Sequence, residues 1–419
     1  CIFLVNDLPG GVDHHDGHMK GRDLNTVLAN PMLTHSPAQT AALAALRSAP
    51  QRRVVTKARP AAGTANLLLP KAVLEGASLS PVGKAVSPRA GVELAYELVA
   101  KAHPDKVFVV SCDLDPSTKL GKARKHLKAD HQFEVSIEEQ LALLLVNGLA
   151  VTTPDRPQLN IVSTFAAFFE GIAREGFEMW RYQRNLNGVN EGLNVVFHMS
   201  HVGSCTGRDH FSGWSLDWIT LGLGYLPYVH RFYTPADARS AFLAVVDQAA
   251  HYGAHILAIP RDNLPILTKQ GTKDPLWTAT DTWEPITEYR TQAGAKRAIL
   301  ALGATAFVAE DAAAALTAEG LATDVHVING FPFGDDQLEG LIKRYPAGLV
   351  TIEDGIIATR ATGLRGLAGV VASAAYGSGT KLDHVGIVDP RIAPADGHPE
   401  LWEHFGLTKE ALVTAIKAL

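Results

Sequence analysis

The stretch KVFVVSCDLDPSTK, Lys106 to Lys119, decides the fold. Its first half is a run of β-branched and aromatic residues without polar alternation, as in a strand buried on both faces. Its second half turns polar at once, and in open α/β sheets ligands collect where strands end, at their carboxyl ends. The pattern recurs outward from here. QLNIVSTF, LNVVFHMSH, YVHRFYTP and AHILAIPR read as further strands. GVELAYELVAKAH, IEEQLALLLVNGLAV, AAFFEGIAREGFEMWRYQ and PADARSAFLAVVDQAAHYG carry helical spacing before and between them. Buried strands separated by helices predict a doubly wound α/β domain with a mostly parallel sheet, over 86–268.

A second doubly wound α/β domain is expected over 269–419. The Trp/Thr-rich DPLWTATDTWEPITEYR reads as a connector into it. Strands follow in KRAILALG, DVHVIN, GLVTIED and DHVGIVD, with helices near Ala312 to Glu319, near Ala368 to Tyr376, and in TKEALVTAIKAL at the end. The first 85 residues read as an irregular and helical N-terminal segment. It holds the His-rich loop VDHHDGHMKG and a helix from Ser36 to Ala49, capped by Ser36 with Pro37 in the first turn. A Pro/Ala/Gly/Ser-rich run then reads as a linker to about Pro88. No internal repeat is present.

Composition excludes several classes of function. A hydrophobic fraction of 47% with 19% charged residues is that of a globular protein. A formal charge of -5, with no basic run interleaved with aromatics, argues against nucleic acid as partner. No apolar stretch approaches the ~20 residues of a membrane span. Cys1, Cys112 and Cys205 are far apart and form no CxxC pair, which argues against a disulfide framework and a structural zinc. A reducing cytoplasm fits this usage. The chain opens on Cys1 without a signal-peptide pattern, and the expectation is a sequence that begins inside a longer gene product.

Four strand ends carry polar groups able to hold a cofactor or an anion: SCDLDPSTK, STF, HMSHVGSCTGRDH and PRDN. Taken singly, each reads as turn formers or helix caps. FEVSIEEQL, Phe133 to Leu141, adds two adjacent glutamates where a short apolar run meets a long one. Together, CDLDPSTK, SIEEQ, VSTFAAFFEGIAR, SHVGSCTGRD, YTPADA and IPRDNLP stand in the order and at the intervals of the pyrimidine-binding domain of the transketolase family. PELWEHFGLTKEALVTAIKAL resembles the end of that family's C-terminal domain. The resemblance covers about 85–419.

It implies a thiamine diphosphate-dependent enzyme that transfers a two-carbon ketol unit between a ketose phosphate and an aldose. In the family a glutamate hydrogen-bonds N1′ of the cofactor's aminopyrimidine and so favours the imino form that deprotonates thiazolium C2; a carboxyl pressed against an apolar ring shares a proton readily. The matching residue is Glu139, with Glu138 as its exposed neighbour. Phe165 and Phe168 match aromatics that pack on the pyrimidine, and Asp113 and Leu114 match residues near the thiazolium. Arg89, Ser117, His201 and Arg261 match the group that holds the sugar phosphate, where charge-assisted donors are needed. His201 also matches a catalytic position, and Asp209 one that faces the substrate hydroxyls. His198, on the same strand end, is a rival to His201.

The chain departs from the family in three places. A third pocket aromatic is Gly171, a family histidine is Gly213 in HFSGW, and no Gly-Asp-Gly occurs to hold the Mg2+ diphosphate. The metal ligands are therefore expected on a diphosphate-binding domain, either upstream of Cys1 or in a separate subunit. The assembly expected is a homodimer, or a heterotetramer with that subunit. The first 85 residues could be the tail of such a domain, and HHDGH at His14 to His18 then a metal or catalytic cluster. Alternative readings are a deoxyxylulose-phosphate synthase, a 2-oxoacid dehydrogenase β-subunit, or a non-catalytic homologue.

Overall fold

The computed structural model describes residues 36–38, 40–41, 44, 61–152, 157–186, 193–206, 213–226, 228–334, 336–391, 394 and 396–419. The His14 to His18 cluster and Asp209 lie outside these residues. The chain divides into two compact units, Cys1–Thr56 and Lys57–Leu419. In the first, Pro37, Ala38, Thr40, Ala41 and Ala44 are helical, and the Thr40 amide donates to the Ser36 carbonyl at 2.9 Å.

The second unit holds two sheets. The first is seven-stranded, in the order β10-β5-β6-β4-β3-β1-β2. Its strands are β1 (Val107–Ser111), β2 (Gln132–Glu134), β3 (Leu159–Phe165), β4 (Val196–Ser200), β5 (Arg231–Tyr233), β6 (His255–Ile259) and β10 (Gly330–Phe331). All pairings are parallel except that of β10 with β5. The helices α1 (Arg89–Ala102) and α2 (Glu139–Thr152), and later α5 (Ala238–Ala250), form where the sequence places them. Strand residues of alternate parity face two separate apolar layers. Val107, Val109, Leu159 and Ile161 pack with Val92, Tyr96 and Phe242 of α1 and α5. Val110, Val162, Phe197 and Met199 pack on the other face with Leu143 and Val146 of α2. This alternation is what a doubly wound sheet requires.

The segment AAFFEGIAREGFEMWRYQ is two helices rather than the single one its spacing predicts: α3 (Ala166–Glu170) and α4 (Arg174–Leu186). Gly171, a poor helix former, lies at the break, where the amides of Ile172 and Ala173 both fold back onto the Phe168 carbonyl at 2.9 and 2.7 Å. The run expected to be a linker is, from residue 61, part of the packed unit. The amides of Asn66 and Leu67 donate to the carbonyls of Ala250 and Ala249 at 2.8 Å each, satisfying orphan acceptors at the end of α5. Leu67 is buried beneath. Small residues and prolines let the chain lie flat there, and composition alone reads that as flexibility.

The second sheet is five-stranded, in the order β12-β11-β8-β9-β7. It comprises β7 (Ile286–Arg290), β8 (Arg297–Leu302), β9 (Thr323–Ile328), β11 (Gly348–Ile356) and β12 (Leu382–Ile387), flanked by α6 (Ala306–Ala318), α7 (Gly366–Ala374) and α8 (Lys409–Ala418). The presumed connector thus contains a strand. β7 is an antiparallel edge whose polar ITEYR escapes a search for buried runs. β10 leaves this half of the chain to close the far edge of the first sheet, which strand patterning did not foresee.

At the carboxyl end of β11, two buried carboxylates act as joints. Glu353 accepts from the amides of Leu367 and Ala368 at 2.9 and 2.7 Å, fixing the start of α7. Asp354 accepts from the Ser204 amide at 3.0 and 2.9 Å to its two oxygens, from the Ser204 hydroxyl at 2.7 Å and from the Cys205 amide at 3.1 Å. It thereby binds the loop after β4 to the second sheet. Asp354→Ala strands these buried donors, and a loss of about 2–4 kcal/mol in unfolding free energy is expected. Urea denaturation measures it; a loss under about 1 kcal/mol, within the range of an ordinary surface change, contradicts the joint.

Candidate active site

The polar residues singled out in the sequence gather at the carboxyl ends of β1, β3, β4 and β6. Glu139 opens α2 and is 3% exposed, whereas Glu138 beside it is exposed. Thr164, at the end of β3, donates to Glu139 Oε1 at 3.2 Å. Among the described residues no basic side chain lies within ion-pair distance of Glu139. A buried carboxylate without a cation is costly unless a hydrogen-bond donor reaches it. The neighbouring walls are aromatic. Phe165 and Phe168 stack with ring centroids 5.7 Å apart, and Phe165 meets His201 at 3.9 Å. A buried carboxylate and stacked rings are the group types that a flat, hydrogen-bonding heterocycle would use.

Backbone strain marks the loops. Asp113, Ser136 and His201 adopt φ of 59°, 58° and 61°, a left-handed conformation that non-glycine residues rarely take. Asp113 is exposed, and Leu114 caps the short helix Asp115–Thr118. His201 Nδ1 lies 2.9 Å from the Ser200 hydroxyl.

A second group forms around two arginines. Arg89 Nη1 donates to the Ser117 carbonyl at 2.8 Å, and its Nε to the Ser87 hydroxyl at 3.0 Å. Ser87 in turn donates to the Arg261 carbonyl at 2.6 Å. Burial first, and the nearby charge of Arg261 second, lower the Arg89 pKa to about 10 against the opposing pull of Asp262. Arg89 therefore stays charged at neutral pH, and no described carboxylate forms an ion pair with it. Two like charges close enough to act on one another in this way favour an anion. Asp262 is occupied by His398, whose Nδ1 lies 2.7 Å away.

The structure thus brings Arg89, Ser117 and Arg261 to one corner and Glu139, Phe165, Phe168 and His201 to another. The rival histidine takes a different place. His198 is fully buried on β4, faces Tyr96 with ring centroids 5.8 Å apart, and among the described residues has no hydrogen-bond partner at either nitrogen. Burial, then Arg89, lowers its pKa to about 3. Two parts of the site escaped the sequence reading, Ser87 and the Asp262–His398 pair, and so did a separate cavity at Glu170. Glu170 lies beside Gly171 at a cavity of about 330 Å³, and burial followed by the charge of Asp217 raises its carboxyl to about 9. Nothing in FFEG marks that coupling, because Asp217 is remote in sequence.

No protein-family model matches the chain. Solved structures do. A protein described as a split gene transketolase, inactive beta4 tetramer, superposes with a TM-score of 0.61 at 23% identity, over 80% of this chain and 98% of that one. Transketolase from Campylobacter jejuni subsp. jejuni gives 0.63 at 16% identity, over 84% of this chain and 50% of that one. A Pichia stipitis transketolase in complex with sedoheptulose 7-phosphate gives 0.61 at 18%, over 91% and 52%. The chain therefore has a transketolase-like α/β fold, and it spans about half the length of these last two proteins.

Neutral buried His198 generates a pH expectation. Between about pH 6.5 and 3 the unfolded histidine binds a proton that the folded one does not, so stability falls as pH falls through this window. Replacing it by a neutral side chain of similar size, His198→Phe, should flatten that part of the curve relative to wild type. Parallel curves from denaturant titrations across pH 7 to 4 would remove His198 from the acid response.

Proposed function

We propose that this chain is the pyrimidine-side part of a thiamine diphosphate-dependent transferase of the transketolase type, moving a two-carbon ketol unit between sugar phosphates. The observation that carries the reading is Glu139: a buried carboxylate that accepts from the Thr164 hydroxyl and, among the described residues, has no cation within ion-pair distance. Thiamine diphosphate supplies the carbanion chemistry when bound. Glu139 holds the proton at the ring nitrogen, and Thr164 orients Glu139. Phe165 and Phe168 stack on the ring and exclude water, with Asp113 and Leu114 at the neighbouring turn. Arg89, Ser117 and Arg261 hold the phosphate end of the substrate. His201 and Asp209 bind substrate oxygens.

The sequence holds no Gly-Asp-Gly to bind a metal diphosphate. The Mg2+ diphosphate is accordingly assigned, as part of this proposal, to another domain or subunit. Exposed apolar side chains support such a partner. Leu141 and Leu144 on α2, Met179 on α4, and Ile137 and Ile172 just before these helices are 50%, 46%, 39%, 74% and 45% exposed. Large apolar side chains left in water in this number are in keeping with a partner surface. The split-gene neighbour, inactive as a β4 tetramer, supports a chain that works only with a second subunit. No described helix is long and apolar enough to cross a membrane. The proposed enzyme is cytoplasmic, in keeping with three cysteines that are far apart in sequence.

With its partner present, Glu139→Ala should lower turnover at least about 100-fold with circular dichroism unchanged, while Glu138→Ala stays within about threefold. Near-normal turnover of Glu139→Ala removes it from the mechanism. Arg261→Ala should raise KM for phosphorylated ketoses by about 2–4 kcal/mol equivalent and leave unphosphorylated ones little changed. Equal effects on both would end the phosphate assignment. The whole reading is tested by titrating the chain with thiamine diphosphate and Mg2+, alone and with a candidate diphosphate-binding subunit. Tight binding is expected only with both chains, and a monomer that binds the cofactor tightly alone contradicts it.

A further inference from the structure

Two of the three left-handed positions at the site share one hydrogen-bond acceptor. Glu134, on the edge strand β2, presents Oε1 to the Asp113 amide at 2.7 Å and to the Ser136 amide at 3.1 Å. These amides belong to different loops. The first follows β1 and carries Asp113 and Leu114. The second leads into α2, with the Glu138 amide donating to the Ser136 carbonyl at 2.8 Å one residue before Glu139. The other oxygen of Glu134 accepts from Arg124 Nη1 at 3.2 Å; Arg124 also pairs with Asp115 and donates from Nε to Gln132 Oε1 at 3.3 Å.

We infer that Glu134, held by Arg124, is a positioning residue: it braces the Asp113 and Ser136 turns against each other and so fixes the distance between the Asp113–Leu114 loop and Glu139. Left-handed backbone is unfavourable for any residue with a Cβ, and serine has less tolerance for it than asparagine or aspartate. An amide bonded to a carboxylate offsets that cost, since charge-assisted bonds are the stronger kind. Burial raises the Glu134 pKa, but Asp113, the Ser111 side chain, Ser136 and Arg124, in that order, outweigh it and hold the carboxyl below its ordinary range. The brace therefore persists at neutral and mildly acidic pH. Edge strand β2 needs no such side chain for its own pairing, because its ladder to β1 runs through the backbone at Val109, Val110 and Ser111. The role in turnover rests on the function proposed above; the brace itself does not.

The test has two arms on the full chain. In the first, amide hydrogen exchange is compared between wild type, Glu134→Ala and Glu134→Gln. Exchange at Asp113 and Ser136 should accelerate about tenfold or more in the alanine variant, with the β1 amides unchanged, and the glutamine variant, which keeps an acceptor oxygen, should recover most of the protection. In the second, with thiamine diphosphate and partner present, Glu134→Ala should lower kcat about tenfold with KM within about twofold, as expected when alignment rather than binding is lost. Ser136→Gly added to Glu134→Ala should restore part of kcat, because glycine adopts the turn without the brace. Unchanged exchange at both amides overturns the brace. Faster exchange with unchanged kcat, or no recovery by either Glu134→Gln or Ser136→Gly, overturns the positioning role. If wild type shows no turnover with the cofactor, the functional reading fails together with the role in turnover, while the exchange arm still decides whether Glu134 braces the two loops.

Discussion

One buried carboxylate orders the rest of this structure. Asp354 stands on the second sheet, yet its side chain accepts from Ser204 and Cys205, in the loop after β4 of the first. The Trp218 indole closes the same joint by donating to the Asp354 carbonyl at 2.9 Å. The loop so held begins at His201, and the Cys205 carbonyl accepts from the Arg261 amide at 2.6 Å. Both corners of the candidate site therefore hang from a group outside the sheet that displays them. The close fit shows at Gly203, where a Cβ would come within 2.6 Å of Asp354 Oδ2. A looser joint would leave His201 and Arg261 to drift separately, and preorganised sites lose function over displacements of this size.

The site itself combines strain with burial. Left-handed turns at Asp113, Ser136 and His201 aim side chains that an extended strand end would point elsewhere. Such conformations persist only where surrounding bonds over-determine them, as Glu134 does for two of the three. Glu139 carries the complementary cost of a desolvated carboxylate. A fold spends stability in this way at positions where chemistry, rather than packing, sets the requirement.

Much of the fold was legible because the signal is simple. Runs such as VFVV and NVVF are apolar on successive positions, and only a sheet covered on both sides buries them so. The features that stayed hidden share a cause: they depend on partners remote in sequence. β7 is half-exposed and polar, and becomes a strand only because β9 is beside it. The 61–67 run is ordered by carbonyls at the end of α5 rather than by its own composition. Within the site, the proximity of Arg89, Ser117 and Arg261 could be expected from a resemblance, but Ser87 as the bridge between the arginines could not, because a lone serine before a proline carries no such mark. Glu139 is the first residue of α2 and Glu138 lies just outside it, so the exact start of the helix, which the sequence marks poorly, separates the buried glutamate from the exposed one.

The short antiparallel strand β10 has a consequence for how this molecule may be cut. Its Gly330 and Phe331 pair with Tyr233 and Phe232 and cover the open flank of β5. Phe331 is buried there, stacked on Phe232 with ring centroids 5.8 Å apart. A fragment ending near residue 268 would keep most of the first sheet's strands and lose this cover. It would present an unpaired backbone flank beside a bare aromatic, the arrangement that recruits strands from other molecules into aggregates. The apparent seam between the two sheets is thus a poor place for truncation or shuffling, and a dissection that respects the hydrogen-bonding must carry the chain past Phe331.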